Sequence, residues 1–154
     1  MNTKELGDLG ERIACEYLVK KGYKILVKNY RISFGEIDII AKKKWRLLDL
    51  LKKNPSAGSG RAIHFVEVKT IIGNPSTNSG QAGSFHPEPA EGFFPEDKVD
   101  DRKQRKLKQM SQIWLEKNKF SQNYPYQIDV IGILIDQKSR KAKLHYFPNV
   151  VEDF

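Results

Sequence analysis

What most constrains this chain is a set of ionisable residues placed inside strand-like runs. The runs are Gly35-Glu36-Ile37-Asp38-Ile39-Ile40-Ala41 and Ile63-His64-Phe65-Val66-Glu67-Val68-Lys69. Strand side chains alternate between faces, so Asp38 shares a face with Glu36 and Ile40, and Glu67 shares one with Phe65 and Lys69. Unpaired charge on the buried side of a sheet is costly, so such groups need a reason to be there. If the two strands are neighbours, Asp38 and Glu67 face each other across the ladder. Two carboxylates with a lysine beside them suit a hard divalent cation and a water poised for hydrolysis.

The rest of the chain supplies a frame for those strands. Residues 3–21 read as a helix capped by Asn2 or Thr3, with Gly22 at the position after its C-cap. Leu6, Leu9, Ile13 and Tyr17 form its apolar stripe, and Glu11 lies on another arc with Gly7, Ala14 and Leu18. Two readings of Glu11 are open on periodicity: a surface charge beside a lysine, or a carboxylate turned inward. Tyr23–Ile32 alternates as a first strand, Ser33-Phe34-Gly35 fits a turn, and the second and third strands are Glu36–Lys42 and Ile63–Thr70. Residues 98–120 form a second helix, with Leu107, Met110 and Trp114 on its apolar face. Gln127–Ile135 is almost continuously apolar and reads as a strand buried on both faces, with Asp129 inside it. Residues 143–147 make a last, shorter strand. The order is αβββαββ, which predicts a layered α/β fold with a mixed central sheet.

Length and charge narrow the class. At 154 residues the chain fits a single domain spanning 1–154, with inserts at about 43–62 and 73–97. The second insert is rich in Gly, Pro, Ser and Glu without periodicity, as a lid or an inert insertion would be. The net charge is +8, concentrated in two blocks, residues 42–53 and 98–119, that each carry +5. Such blocks attract polyanions, and they equally make a solvated, lysine-rich surface. The one cysteine, Cys15, excludes an internal disulfide and a CxxC metal site. The N-terminus is too polar for a signal peptide, and no apolar run approaches the roughly 20 residues of a membrane span, so a cytoplasmic protein without membrane contact is expected.

Taken together, Gly10-Glu11, Gly22-Tyr23, Asn29-Tyr30-Arg31, Gly35-Glu36-Ile37-Asp38-Ile39-Ile40-Ala41, Phe65-Val66-Glu67-Val68-Lys69-Thr70 and Lys103 in a helix containing Trp114-Leu115 resemble the YraN-like family of small bacterial proteins. That family is similar to the restriction-endonuclease-like, or PD-(D/E)XK, superfamily and within it to archaeal Holliday junction resolvases. The resemblance covers nearly all of the chain outside the two inserts, which depart from the family pattern.

The resemblance implies a restriction-endonuclease-like core and a metal-dependent endonuclease of structured or branched DNA. It implies a catalytic set of Glu11, Asp38, Glu67 and Lys69. Asp38, Glu67 and the carbonyl of Val68 would bind Mg²⁺, or Mn²⁺ in its place; Lys69 would position the attacking water; and Glu11 would act as an auxiliary acid. Arg102, Lys103, Arg105 and Lys106 are candidates to grip the nucleic-acid backbone, with a plain surface lysine the competing reading of Lys103. Asp129 is expected to bond to backbone or to a lysine rather than to metal. A homodimer follows by analogy alone, since cutting a branched junction needs two sites. The competing function is a nucleic-acid-binding protein with the nuclease fold and little or no turnover.

Overall fold

Asn2 caps the first helix: its side chain accepts the N–H of Glu5, and Glu5 returns the bond to the Asn2 N–H. This reciprocal box satisfies two donors that the first turn leaves free. In the computed structural model, which describes residues 2–44, 62–73, 101–136 and 139–151, helix α1 spans Thr3–Lys20. Strands β1 (Tyr23–Ile32), β2 (Gly35–Lys43) and β3 (Ile63–Ile72) follow, then helix α2 (Asp101–Lys117) and strands β4 (Tyr126–Asp136) and β5 (Lys141–Phe147). The expected order is the observed one, and it is broadly consistent with a restriction-endonuclease-like fold. The expected inserts lie almost wholly outside the described residues.

The five strands form one mixed sheet in the order β1-β2-β3-β4-β5. Among the described strands, β3 and β4 are parallel, from Ile63↔Tyr126 to Ile72↔Ile135, and the other neighbours are antiparallel. Parallel neighbours need a long crossover, and α2 lies within it. Beneath α2, Leu107, Met110, Trp114 and Leu115 pack on Ile40, Ile63, Phe65, Ile128 and Val130. On the other face, Ala14 and Leu18 of α1 pack on Ile39, Ala41, Val66, Ile131 and Ile133. β4 is therefore covered on both sides, as its apolar run required. Ile37, near the start of β2, joins the α2 cluster although alternation would place it with Ile39.

Helix α1 corrects one expectation. Its buried residues are Gly10, Ala14 and Leu18, whereas Leu6, Leu9, Ile13 and Tyr17 are only partly covered. The reason is closeness of approach. A Cβ on Gly10 would come within 1.8 Å of Thr70 Oγ1 on β3, so only glycine lets the helix backbone lie this near the strand. The arc that carries Glu11 thus turns toward the sheet. Among the described residues, no helix is long and apolar enough to cross a membrane.

Candidate active site

Pairing between β2 and β3 runs from Lys42↔Ile63 to Ile39↔Val66 and goes no further. Beyond that point the N–H of Val68 is taken by a side chain: Asp38 Oδ2 accepts it at 2.7 Å. Asp38 and Glu67 project to the side covered by α2, where the first turn of that helix overhangs the sheet. Lys103 lies one turn before the buried Leu107, and its ammonium bonds Glu67 Oε1. Glu67 is almost fully buried, and the ion pair offsets the cost of burying it.

Burial, and then the nearby Glu67 charge, raise the Asp38 carboxyl from 3.8 to about 7; the Val68 N–H and the Lys103 ammonium pull the other way. Glu11 adds a smaller upward push, which puts its carboxylate within electrostatic reach of Asp38. Asp38 and Glu67 open onto a cavity of about 590 Å³, also lined by Phe34, Gly35, Glu36, Arg102, Lys103, Lys106, Leu107 and Met110. It has an acidic side on the sheet, a basic side on α2 and an apolar floor.

The expected residues divide accordingly. Asp38 and Glu67 meet, and Arg102, Lys103 and Lys106 face them. Arg105 turns away, its Nε donating to the Asp101 carbonyl at 3.3 Å. Glu11 and Lys69 are half-buried near the site but are not among the residues lining the cavity. Glu36 lines it and also pairs with Arg31 at 2.9 Å. The donor set that meets here is oxygen only, two carboxylates with the Val68 peptide beside them, which matches the preference of Mg²⁺ or Mn²⁺. Two side-chain ligands are fewer than three, and among the described residues no group of three His, Cys, Asp or Glu gathers around one point. Phe34, Leu107 and Met110 were not expected in the site; the i, i+4, i+7 spacing of Lys103, Leu107 and Met110 was the available signal for a shared helix face.

Asp129 has a different setting, on the α1 side of the sheet. Burial alone would raise its carboxyl, but bonds from His64, the Asn149 N–H and Tyr146 hold it below the ordinary value. The ionised group accepts from His64 Nδ1 and Tyr146 Oη, each at 2.7 Å, and from Gln127 Nε2 and the Asn149 N–H at 2.7 and 2.9 Å. The backbone partner was expected. In place of a lysine, a histidine, a tyrosine and a glutamine complete the set.

The family model for the uncharacterised protein family UPF0102 matches residues 10–133. A UPF0102 protein of Caldanaerobacter subterraneus subsp. tengcongensis is 35% identical over 150 residues, covering 97% of this chain and 96% of that one. One from Dictyoglomus turgidum is 32% identical over 149 residues, covering 97% and 98%. One from Thermodesulfovibrio yellowstonii is 37% identical over 129 residues, covering 84% and 85%.

Proposed function

The chain belongs to the uncharacterised protein family UPF0102, and we propose that it is a metal-dependent endonuclease that hydrolyses phosphodiester bonds in structured or branched DNA. The observation that carries this reading is the meeting of Asp38 and Glu67 in one cavity walled by Arg102, Lys103 and Lys106. A phosphodiester needs cations along its path and a concentrated charge at the scissile phosphate, and the two walls divide that work. The resemblance to PD-(D/E)XK nucleases and junction resolvases supports the same assignment of roles.

Asp38, Glu67 and the Val68 carbonyl would hold Mg²⁺ or Mn²⁺, which when bound neutralises developing phosphoryl charge and acidifies a water. Arg102 and Lys106 hold the phosphates on either side, so affinity falls steeply with salt. Lys69, two residues from Glu67 on the same strand face, orients the attacking water by its charge. Glu11 supports the acidic side from α1. The test incubates the protein with branched, duplex and single-stranded DNA plus Mg²⁺ or Mn²⁺, beside Asp38→Ala and Lys69→Ala. Cleavage by the wild type, lost in both variants, is the expected result. A wild type inert on every substrate, or variants that cut equally well, overturns the reading.

The Lys103–Glu67 ion pair favours a second reading, because an ammonium already neutralises one of the two metal-facing carboxylates. In that case the domain binds nucleic acid with little turnover. Salt-sensitive binding that persists in Glu67→Gln, with no cleavage by the wild type, identifies this alternative.

A further inference from the structure

Phe34 is half in solvent, at 52% exposure, although a glycine-containing turn could have carried a polar residue there. It sits in the tight link between β1 and β2 and lines the same cavity as Asp38 and Glu67. The backbone beside it lies against α2. Gly35 has a φ of +151°, which L side chains rarely adopt, and a Cβ there would lie 3.3 Å from Met110 Sδ. The turn is therefore seated close to α2, and Phe34, one residue before Gly35, lines the cavity half in solvent. Below it, Leu107 and Met110 supply an apolar floor.

A ligand gripped by its phosphates alone would use the cations of α2 and leave the exposed aromatic ring without a partner. A nucleotide uses both, because its phosphate meets the cations and its base has a flat π-face that stacks on an aromatic ring. Bases inside an intact duplex are already stacked on their neighbours and do not offer that face, so reaching them costs unstacking. An isolated exposed phenylalanine is ordinary on a protein surface. This one shares a cavity with an acidic pair and a basic wall, and that setting separates it from the ordinary case.

We propose that Phe34 is a stacking platform for an unpaired nucleobase, and that it makes the cavity select DNA with an unstacked nucleotide over intact duplex. The proposal rests on the function proposed above and narrows its substrate class. Gaps, bulges, flaps and the branch points of junctions all present such a nucleotide beside flanking phosphates. Phe34 sets specificity; the chemistry stays with the acidic pair.

The experiment measures binding in Ca²⁺, to limit cleavage, to two short DNA duplexes. One is fully matched; the other carries a single bulged fluorescent adenine analogue. Wild type is expected to prefer the bulged duplex by about tenfold and to quench the analogue by stacking. Phe34→Ala should lose preference and quenching while keeping its affinity for matched duplex and its circular dichroism spectrum, and Phe34→Trp should keep both. A Phe34→Ala protein that retains the preference, or that weakens on both duplexes alike, overturns the platform and leaves the nuclease reading standing. A wild type that binds both duplexes equally overturns the platform alone, whereas one that binds neither, and also cuts none of the branched, duplex and single-stranded substrates, overturns both readings.

Discussion

The carboxylate of Asp38 accepts the N–H of Val68 at 2.7 Å where backbone pairing between β2 and β3 has already stopped. One oxygen therefore stands in for a missing ladder bond while the group shares the acidic side of the cavity with Glu67. The same side chain closes the sheet locally and carries the charge a metal site would use, so its protonation is tied to the stability of the fold.

Stability should fall as Asp38 ionises. Its carboxyl is raised from 3.8 to about 7, first by burial and then by Glu67. The folded state then holds a proton that the unfolded state gives up, so this group's contribution is intact below 3.8, declines as pH rises through about 7 and is flat above that. Asp38→Asn keeps an acceptor for Val68 and removes the charge. In urea titrations it should match the wild type near pH 4 and exceed it by up to about 4 kcal/mol at alkaline pH, while losing cleavage.

Metal binding should release a proton. A divalent ion at Asp38 requires the ionised carboxylate, which near neutral pH is only partly present. Calorimetric titration with Mg²⁺ at pH 7, repeated in buffers of different ionisation heat, should report release of about half a proton per chain. Asp38→Asn should abolish it.

Lys103→Ala should leave the buried Glu67 without its cation. Lys103 is itself partly exposed, so solvent softens the loss, and the cost should be about 1–2 kcal/mol. Added Mg²⁺ should recover part of it by supplying the missing positive charge. Thermal unfolding with and without Mg²⁺ measures both effects.

Gly10→Ala should push α1 off β3, because the new methyl overlaps the Thr70 side chain. An overpacked contact of this kind costs about 1–3 kcal/mol. Thr70→Ala removes the two side-chain atoms beyond Cβ that lie in the way, so the double variant should be more stable than the sum of the single losses predicts. Denaturant unfolding of the four proteins closes the cycle.

Asp129→Ala should be the most damaging change, at about 3 kcal/mol or more near neutral pH, because it strands several buried donors at once. Asp129 sits below the ordinary carboxylate value, so its support is present above 3.8 and is lost as pH falls through its lower folded value. The variant's deficit should therefore shrink in acid, the opposite of the Asp38 trend, and acid titrations of both proteins check the sign.

The order of elements along the chain was legible from the apolar runs and the turns between them, and the shared face of Asp38 with Glu36 and Ile40 from the two-residue period of a strand; which strands lie side by side was not. The inward face of α1 was not. Hydrophobicity pointed to Leu6, Leu9, Ile13 and Tyr17, whereas the small Gly10 and Ala14 set the nearest approach to the sheet. The Lys103–Glu67 pair could not be read from the chain either, since it depends on where α2 crosses the ends of β2 and β3. Asp129 was recognisable as a satisfied buried carboxylate, but His64 and Tyr146 reach it only because β3, β4 and β5 lie side by side.

That convergence governs how the domain comes apart. His64 from β3, Tyr146 from β5 and the Asn149 amide after it close on a residue of β4, and Val150 then donates to the Ile128 carbonyl. Fraying of β5, at the edge of the sheet, would strip donors from an anion in the interior, so residues 141–150 gain little by opening alone. The amides of Asn149 and Val150, which follow an edge strand, should exchange with solvent together with the core, as parts of one cooperative unit.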